Sequence, residues 1–102
     1  MIRDCIYVRD VVRACLTLAD RMEDPALHGH AFNVSTEQPI SVITLVRRIL
    51  AAAGREHLEP IILGEAMNES PEQHLCAAKA RRMLGWSPVF TPDEALAETV
   101  AW

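Results

Sequence analysis

The sequence predicts an α/β protein in which about four helices pack on a small, mostly parallel sheet. Two observations support this fold class. Apolar residues recur at helical spacing in separate stretches of the chain. Short apolar runs typical of strands lie between those stretches, and strands that alternate with helices favour parallel pairing through crossover connections. With 102 residues, we expect one domain, residues 1–102, with a modest core.

The chain is expected to begin with a strand at residues 3–8 that leads directly into a helix. Asp10 is a suitable N-cap, because its carboxylate can accept hydrogen bonds from the free N–H groups of the first turn. The helix carries an apolar stripe and ends before Pro25, since proline disfavours helix at the preceding residue. The stripe consists of Val11, Val12, Cys15, Leu18, Ala19 and Met22.

The middle of the chain predicts two further strands, at residues 31–34 and 58–63. Between them, Ser41 is expected to cap a second helix that stops at Gly54, a residue type suited to the left-handed turn after a helix. Residues 64–74 have no apolar periodicity, so they predict an exposed loop.

The C-terminal third predicts two more helices. Alanine-rich residues 77–84 form the first, which Gly85 ends. Thr91 with Glu94 is the pattern of a capping box, and Pro92 occupies the first position of the helix that follows.

Composition excludes several classes of function. The net charge is −4 and no basic patch is present beyond two Arg-Arg pairs, so we expect no nucleic-acid binding. No apolar run approaches the length of a membrane span, and the N-terminus carries an early acidic residue, which argues against a signal peptide. The odd number of cysteines predicts reduced thiols in a cytoplasmic protein. These are Cys5, Cys15 and Cys76.

Most patterns that suggest chemistry have simpler interpretations. The four glycines are far apart, so no phosphate-binding loop for a dinucleotide is expected. His28 and His30 lack an evident third ligand, so a polar turn is favoured over a metal site. Asp4 and Asp10 are favoured as a strand-entry charge and a helix cap over an acid–base couple. Cys76 has no identifiable histidine partner and is interpreted as a small packing residue.

Arg3 is the one candidate binding residue. An arginine at the end of a strand can hold a phosphate through paired N–H donors. A surface ion pair with Asp4 explains it equally well. The chain has one tyrosine, Tyr7, and one lysine, Lys79, so a Tyr-Lys pair one helical turn apart is excluded.

Five segments together resemble the C-terminal half of extended short-chain dehydrogenases/reductases, the nucleotide-sugar epimerases and 4,6-dehydratases. The resemblance covers essentially the whole chain, and the run at residues 72–75 is most similar to the 4,6-dehydratase branch. The segments are Arg3-Asp4-x-Ile6-Tyr7-Val8-x-Asp10-Val11-Val12-x-Ala14, Ala31-Phe32-Asn33-Val34-Ser35, the helix opened by Ser41, Ala78-Lys79-Ala80-Arg81-x-x-Leu84-Gly85-Trp86-x-Pro88, and Thr91-Pro92-x-Glu94-x-Leu96-x-Glu98-Thr99.

The resemblance implies a substrate-binding lobe that lacks the glycine-rich cofactor half. Members use NAD or NADP, and their cofactor loop and catalytic residues lie in the N-terminal portion, so this chain is expected to hold no cofactor, metal or catalytic residue and to be inactive alone. It implies that Arg3 contacts the diphosphate of a nucleoside-diphosphate sugar and that residues 64–74 border the nucleotide. Cys5 and Cys76 depart from the family pattern, and the 64–74 loop lacks an arginine that many relatives have.

The expected function is therefore nucleotide-sugar binding through Arg3. Two alternatives stay open. In the first, the chain is a repurposed interaction module that forms a homodimer through the face that the cofactor half would cover. In the second, it is one half of an enzyme that a separate cofactor-binding chain completes.

Overall fold

A computed structural model describes all of residues 1–102 and contains the four expected helices. Helix α1 spans Val8–Asp20, α2 spans Val42–Ala52, α3 spans Ala78–Leu84 and α4 spans Pro92–Ala101. Two short strands, β1 at Ile2–Arg3 and β2 at Ile40–Ser41, and a 3₁₀ turn at Pro25–Leu27 complete the regular structure. The prediction of a small α/β protein with about four helices is confirmed.

The prediction of a mostly parallel sheet is wrong. The sheet has two strands, and β1 pairs with β2 antiparallel, with Ile2 opposite Ser41. The single parallel pairing is an isolated bridge between Ile2 and Glu72. Residues 31–34 and 59–63 make no backbone–backbone hydrogen bond. These segments are apolar, but a segment without a neighbouring strand has no partner for the backbone hydrogen bonds of a β-ladder.

The prediction of a strand at residues 3–8 is also wrong after Arg3, because β1 ends at Arg3 and α1 begins at Val8. Tyr7 is the N-cap residue of α1, and its side chain makes no capping hydrogen bond. Asp10, expected at that position, lies inside the first turn and is buried. Its carboxylate instead accepts hydrogen bonds from the backbone of Val89 and Phe90, 79 and 80 residues away in the chain.

The other helix boundaries agree with their sequence signals. The Ser41 hydroxyl accepts a hydrogen bond from the backbone N–H three residues later at 3.2 Å, and Thr91 forms a reciprocal capping box with Glu94. Gly54 and Gly85 follow α2 and α3 with φ angles of 67° and 65°. These left-handed angles favour glycine, which has no Cβ to clash.

The protein has a small core and an open shape. Only 8 of 102 residues are buried. The radius of gyration is 16.5 Å, against about 13 Å for a compact chain of this length. The longest helix has 13 residues, and no helix combines the length and apolar character needed to cross a membrane. The buried apolar side chains are Ala14, Leu27, Ala77, Ala80, Leu84 and Trp86.

Candidate functional site

An apolar groove of about 460 Å³ lies between α2, α4 and the connection from β1 to α1. Ile6, Leu45 and Leu96 contribute aliphatic surface to its lining. Tyr7 and Phe90 also line it, and their rings pack edge-to-face with centroids 4.9 Å apart. Such an aromatic pair adds stabilisation beyond the area that it buries. Arg48 and the buried Asp10 are the charged residues of the lining, and its other residues are apolar or uncharged.

Asp10 fixes one wall of this groove. The side chain is 1% exposed and accepts hydrogen bonds from the backbone N–H groups of Val89 at 2.9 Å and Phe90 at 3.4 Å. Its own carbonyl oxygen accepts the indole N–H of Trp86 at 3.0 Å. Arg13 donates to the same carboxylate at 3.3 Å. Asp10 thereby joins α1 to the segment that leads into α4.

Glu98 on α4 makes a second link to the start of α1. It accepts a hydrogen bond from the Tyr7 hydroxyl, and the Arg9 guanidinium donates to it at 3.0 Å. The Tyr7 and Arg9 donors hold the pKa of the Glu98 carboxyl below its usual value. The bond to this carboxylate raises the pKa of Tyr7, because it favours the protonated hydroxyl.

Arg3 lies outside the groove lining, beside the exposed 64–74 loop. One guanidinium nitrogen donates to the Ile2 carbonyl at 2.8 Å, and another pairs with Glu69 at 3.1 Å. The Arg3 side chain is 22% exposed, so the charge is accessible at the surface. The resemblance implies that Arg3 and the 64–74 loop both lie near the nucleotide, and in the structure Arg3 contacts Glu69 of that loop. The alternative pairing of Arg3 with Asp4 is not formed.

Asp4 instead holds three separate segments together. It accepts hydrogen bonds from the Ser35 hydroxyl, from the Thr36 hydroxyl at 3.1 Å and from the Leu75 N–H at 3.1 Å. Sequence reasoning missed this role, because all three donors are more than 30 residues away in the chain. Asp4 and Asp10 serve different clusters, so the structure does not bring them together as an acid–base couple.

Glu37 anchors α3 in a similar way. Its carboxylate accepts the Ala77 N–H at 3.0 Å and forms an ion pair with Arg81. The Arg81 guanidinium, followed by the Ala77 N–H, lowers the pKa of Glu37. Its backbone φ of 55° lies in the left-handed region that few non-glycine residues adopt. No sequence signal pointed to this residue.

The remaining candidates lie apart. The Lys79 ammonium lies 5.2 Å from the centroid of the Phe32 ring. The His28 ring is hydrogen-bonded to the Met22 carbonyl at 2.7 Å. All three cysteines are free and exposed, and no group of three His, Cys, Asp or Glu side chains is arranged to hold a metal ion.

No family model matches the chain, but two curated relatives are similar to it over nearly its whole length. It is 34% identical to a UDP-glucose 4-epimerase of Mycolicibacterium smegmatis, over 96% of this chain and 30% of that protein. It is 23% identical to a UDP-glucose 4-epimerase of Cyamopsis tetragonoloba, over 99% of this chain and 29% of that protein. The chain thus spans about three tenths of the length of the relatives it matches.

These similarities support the expected resemblance of this chain to one part of a nucleotide-sugar epimerase. Both relatives carry the name of an epimerase, whereas the run at residues 72–75 pointed to the 4,6-dehydratase branch.

Proposed function

We propose that the chain is a nucleotide-sugar-binding lobe that binds the diphosphate of a UDP-sugar through Arg3. The similarity to two UDP-glucose 4-epimerases supports the class of ligand. The observation that carries the proposal is the position of Arg3, whose partly exposed guanidinium lies against the loop expected to border the nucleotide. Arginine suits a diphosphate because its planar N–H donors can form two parallel hydrogen bonds with phosphate oxygens.

In the free protein, Glu69 occupies the position that the proposal gives to a phosphate. Its carboxylate lies 3.1 Å from an Arg3 guanidinium nitrogen. A diphosphate has to displace this carboxylate and then tolerate its charge nearby. The bond from Arg3 to the Ile2 carbonyl fixes the other side of the guanidinium, so the side chain keeps its orientation when Glu69 moves away.

Isothermal titration with UDP-glucose tests the proposal. Arg3→Ala removes the guanidinium and is expected to weaken binding by roughly tenfold or more, as hydrogen bonds to charged groups contribute about 1.5–3 kcal/mol. Arg55→Ala is the matched control, since Arg55 is exposed and its side chain makes one hydrogen bond, to the adjacent Gly54 carbonyl. No binding at millimolar UDP-glucose, or equal binding by wild type and Arg3→Ala, contradicts the proposal.

The proposal assigns no catalysis to this chain alone. The four glycines, Gly29, Gly54, Gly64 and Gly85, are far apart in the chain, so they do not form the glycine cluster that the pyrophosphate of NAD or NADP needs. Wild-type protein incubated with UDP-glucose and NAD is expected to form no UDP-galactose. If a separate chain supplies the cofactor half, adding that chain is expected to start the reaction.

A second candidate function, self-association as a homodimer, is favoured by the exposed area. The accessible surface is 7510 Å², about 1,700 Å² more than the roughly 5,800 Å² expected for a folded monomer of 11.4 kDa. Much of this surface is apolar, and unpartnered apolar faces favour association. Light scattering on a concentration series tests this candidate, and a stable monomer at high concentration contradicts it.

A further inference from the structure

The groove between α2, α4 and the connection from β1 to α1 has the size and lining of a site for a small molecule. Its volume of about 460 Å³ lies within the range of about 300–1,000 Å³ that is typical of ligand pockets. Nine of its seventeen lining residues are hydrophobic. Ile6, Leu45 and Leu96 come from three different parts of the chain, and an aliphatic group gains free energy when it is buried against such side chains.

Most polar side chains of the lining already have partners within the chain. The Asp10 carboxylate is buried and accepts hydrogen bonds from two backbone N–H groups and from Arg13. Every hydroxyl group of the lining is also hydrogen-bonded, so none of these groups is left to select a ligand. The hydroxyl groups are those of Tyr7, Thr36, Thr91 and Thr99.

Two side chains of the lining carry N–H donors without a partner. Arg48 on α2 is exposed and forms no hydrogen bond or ion pair, and the side-chain amide of Gln38 forms no hydrogen bond. Because the charge of Asp10 is balanced by its own donors, the groove has one unpaired charge, which is positive. A guanidinium can hold a carboxylate through two parallel hydrogen bonds, and an amide can donate a further one.

We propose that this groove binds a small amphipathic carboxylic acid. The carboxylate pairs with Arg48, and the alkyl chain lies along Ile6, Leu45 and Leu96. Charge complementarity selects this class of ligand, because one unpaired guanidinium matches one negative charge, whereas a neutral ligand leaves it unpaired. The site is separate from the proposed nucleotide-sugar site, since Arg3 lies outside the groove lining.

Three probes with the same alkyl chain test the charge preference in the wild-type chain by isothermal titration at pH 7. These are octanoate, 1-octanol and octylammonium. Octanoate is expected to bind most tightly. Octylammonium is expected to bind at least about tenfold more weakly than octanoate, because its positive charge meets that of Arg48. Equal binding of the three probes overturns the proposal.

An Arg48 variant tests the residue that carries the charge. Arg48→Gln is expected to weaken octanoate binding by about tenfold, because a hydrogen-bonded charge pair is lost, and to leave octanol binding unchanged. Arg47→Gln is the matched control, since Arg47 is the preceding residue, is also exposed and lies outside the groove lining. Equal octanoate affinity in the two variants overturns the role of Arg48.

The reactivity of Cys5 locates the ligand without a change in the groove. Cys5 is exposed and lines the groove, whereas Cys15 is exposed outside it. Octanoate is expected to slow the reaction of a maleimide with Cys5 in the Cys15→Ser/Cys76→Ser variant. In the matched Cys5→Ser/Cys76→Ser variant, which retains Cys15, the rate is expected to stay the same.

The remaining outcomes are equally distinct. No octanoate binding at millimolar concentration, or octanoate binding that leaves the reaction of Cys5 unchanged, overturns the proposal. Displacement of octanoate by UDP-glucose, or its loss in Arg3→Ala, also overturns it, because either result places the acid at the other site. Octanoate binding in a chain that binds no UDP-glucose overturns only the proposed nucleotide-sugar site.

Discussion

Replacing Asp10 with alanine is expected to be among the most damaging single changes in this protein. The carboxylate is buried and receives the Val89 N–H at 2.9 Å, the longer bond from Phe90 at 3.4 Å, and the Arg13 guanidinium. A hydrogen bond to a charged group contributes about 1.5–3 kcal/mol, and a half-exposed ion pair such as that with Arg13 contributes at most about 1 kcal/mol. The sum is a loss of about 2–4 kcal/mol.

A loss of that size is large for this chain. Small proteins have free energies of unfolding of about 5–15 kcal/mol, and with 8 of 102 residues buried this protein is expected near the lower limit. Urea denaturation at one protein concentration, followed by the fluorescence of buried Trp86 in a Trp102→Phe background, measures the change. We expect the Asp10→Ala midpoint to be about 2 M lower, given a slope of roughly 1–1.5 kcal/mol/M.

Asp20→Ala is the matched control, because Asp20 lies on the same helix, is exposed and makes no side-chain hydrogen bond. Its negative charge lies at the C-terminal end of α1, where the helix dipole disfavours it, so the control is expected to change the free energy of unfolding by less than about 0.5 kcal/mol. If Asp10→Ala costs no more than Asp20→Ala, Asp10 does not hold the groove wall as described.

Two further predictions concern acid stability and proteolysis. The pKa of Glu37 is lower in the folded protein than the ordinary glutamate pKa of 4.5, so its ion pair stabilises the fold fully at pH values above 4.5. This stabilisation is lost as the pH falls through the lower pKa of the folded state. Glu37→Gln is therefore expected to destabilise the protein at pH 7 and to converge with wild type on acidification, while exposed Glu59→Gln matches wild type throughout; a pH-independent effect of Glu37→Gln contradicts this. Thermolysin is expected to cut first at residues 61–63, where Ile61 is 86% exposed and residues 59–70 donate no backbone hydrogen bond to the backbone of the chain. Mass spectrometry identifies the site, and a first cut within α1 or α4 refutes it.

Local signals predicted the helices well. Ser41, Thr91 with Glu94, and Gly85 each act on backbone groups within one helical turn, so their effect is visible in a short window of sequence. The same locality explains why the boundaries of α2, α3 and α4 agree with expectation.

The failures involve partners that are distant in the chain. A strand exists only where a second strand supplies hydrogen bonds, and the apolar residues at 31–34 and 58–63 have no such neighbour. Asp10 resembles a helix cap in sequence, yet its partners are 79 and 80 residues away. Glu69 is 66 residues from Arg3, so neither spacing nor composition could indicate that it neutralises the proposed binding residue.

The contact between Arg3 and Glu69 also provides the most direct test of the proposed nucleotide-sugar site. Glu69→Gln removes the competing negative charge while keeping the size of the side chain. Since an exposed pair of this kind is worth about 0.2–1 kcal/mol, the affinity for UDP-glucose is expected to rise by a factor of about 1.4 to 5. The gain depends on Arg3, so it is expected to vanish in the Arg3→Ala/Glu69→Gln double variant.

The decisive measurement is the dissociation constant of UDP-glucose for wild type, Glu69→Gln, Arg3→Ala and the double variant, determined by isothermal titration under one set of conditions. Nucleotide-sugar binding through Arg3 predicts tighter binding by Glu69→Gln and weak, equal binding by both variants that lack Arg3. Equal affinity in all four proteins, or no binding by any of them, contradicts it.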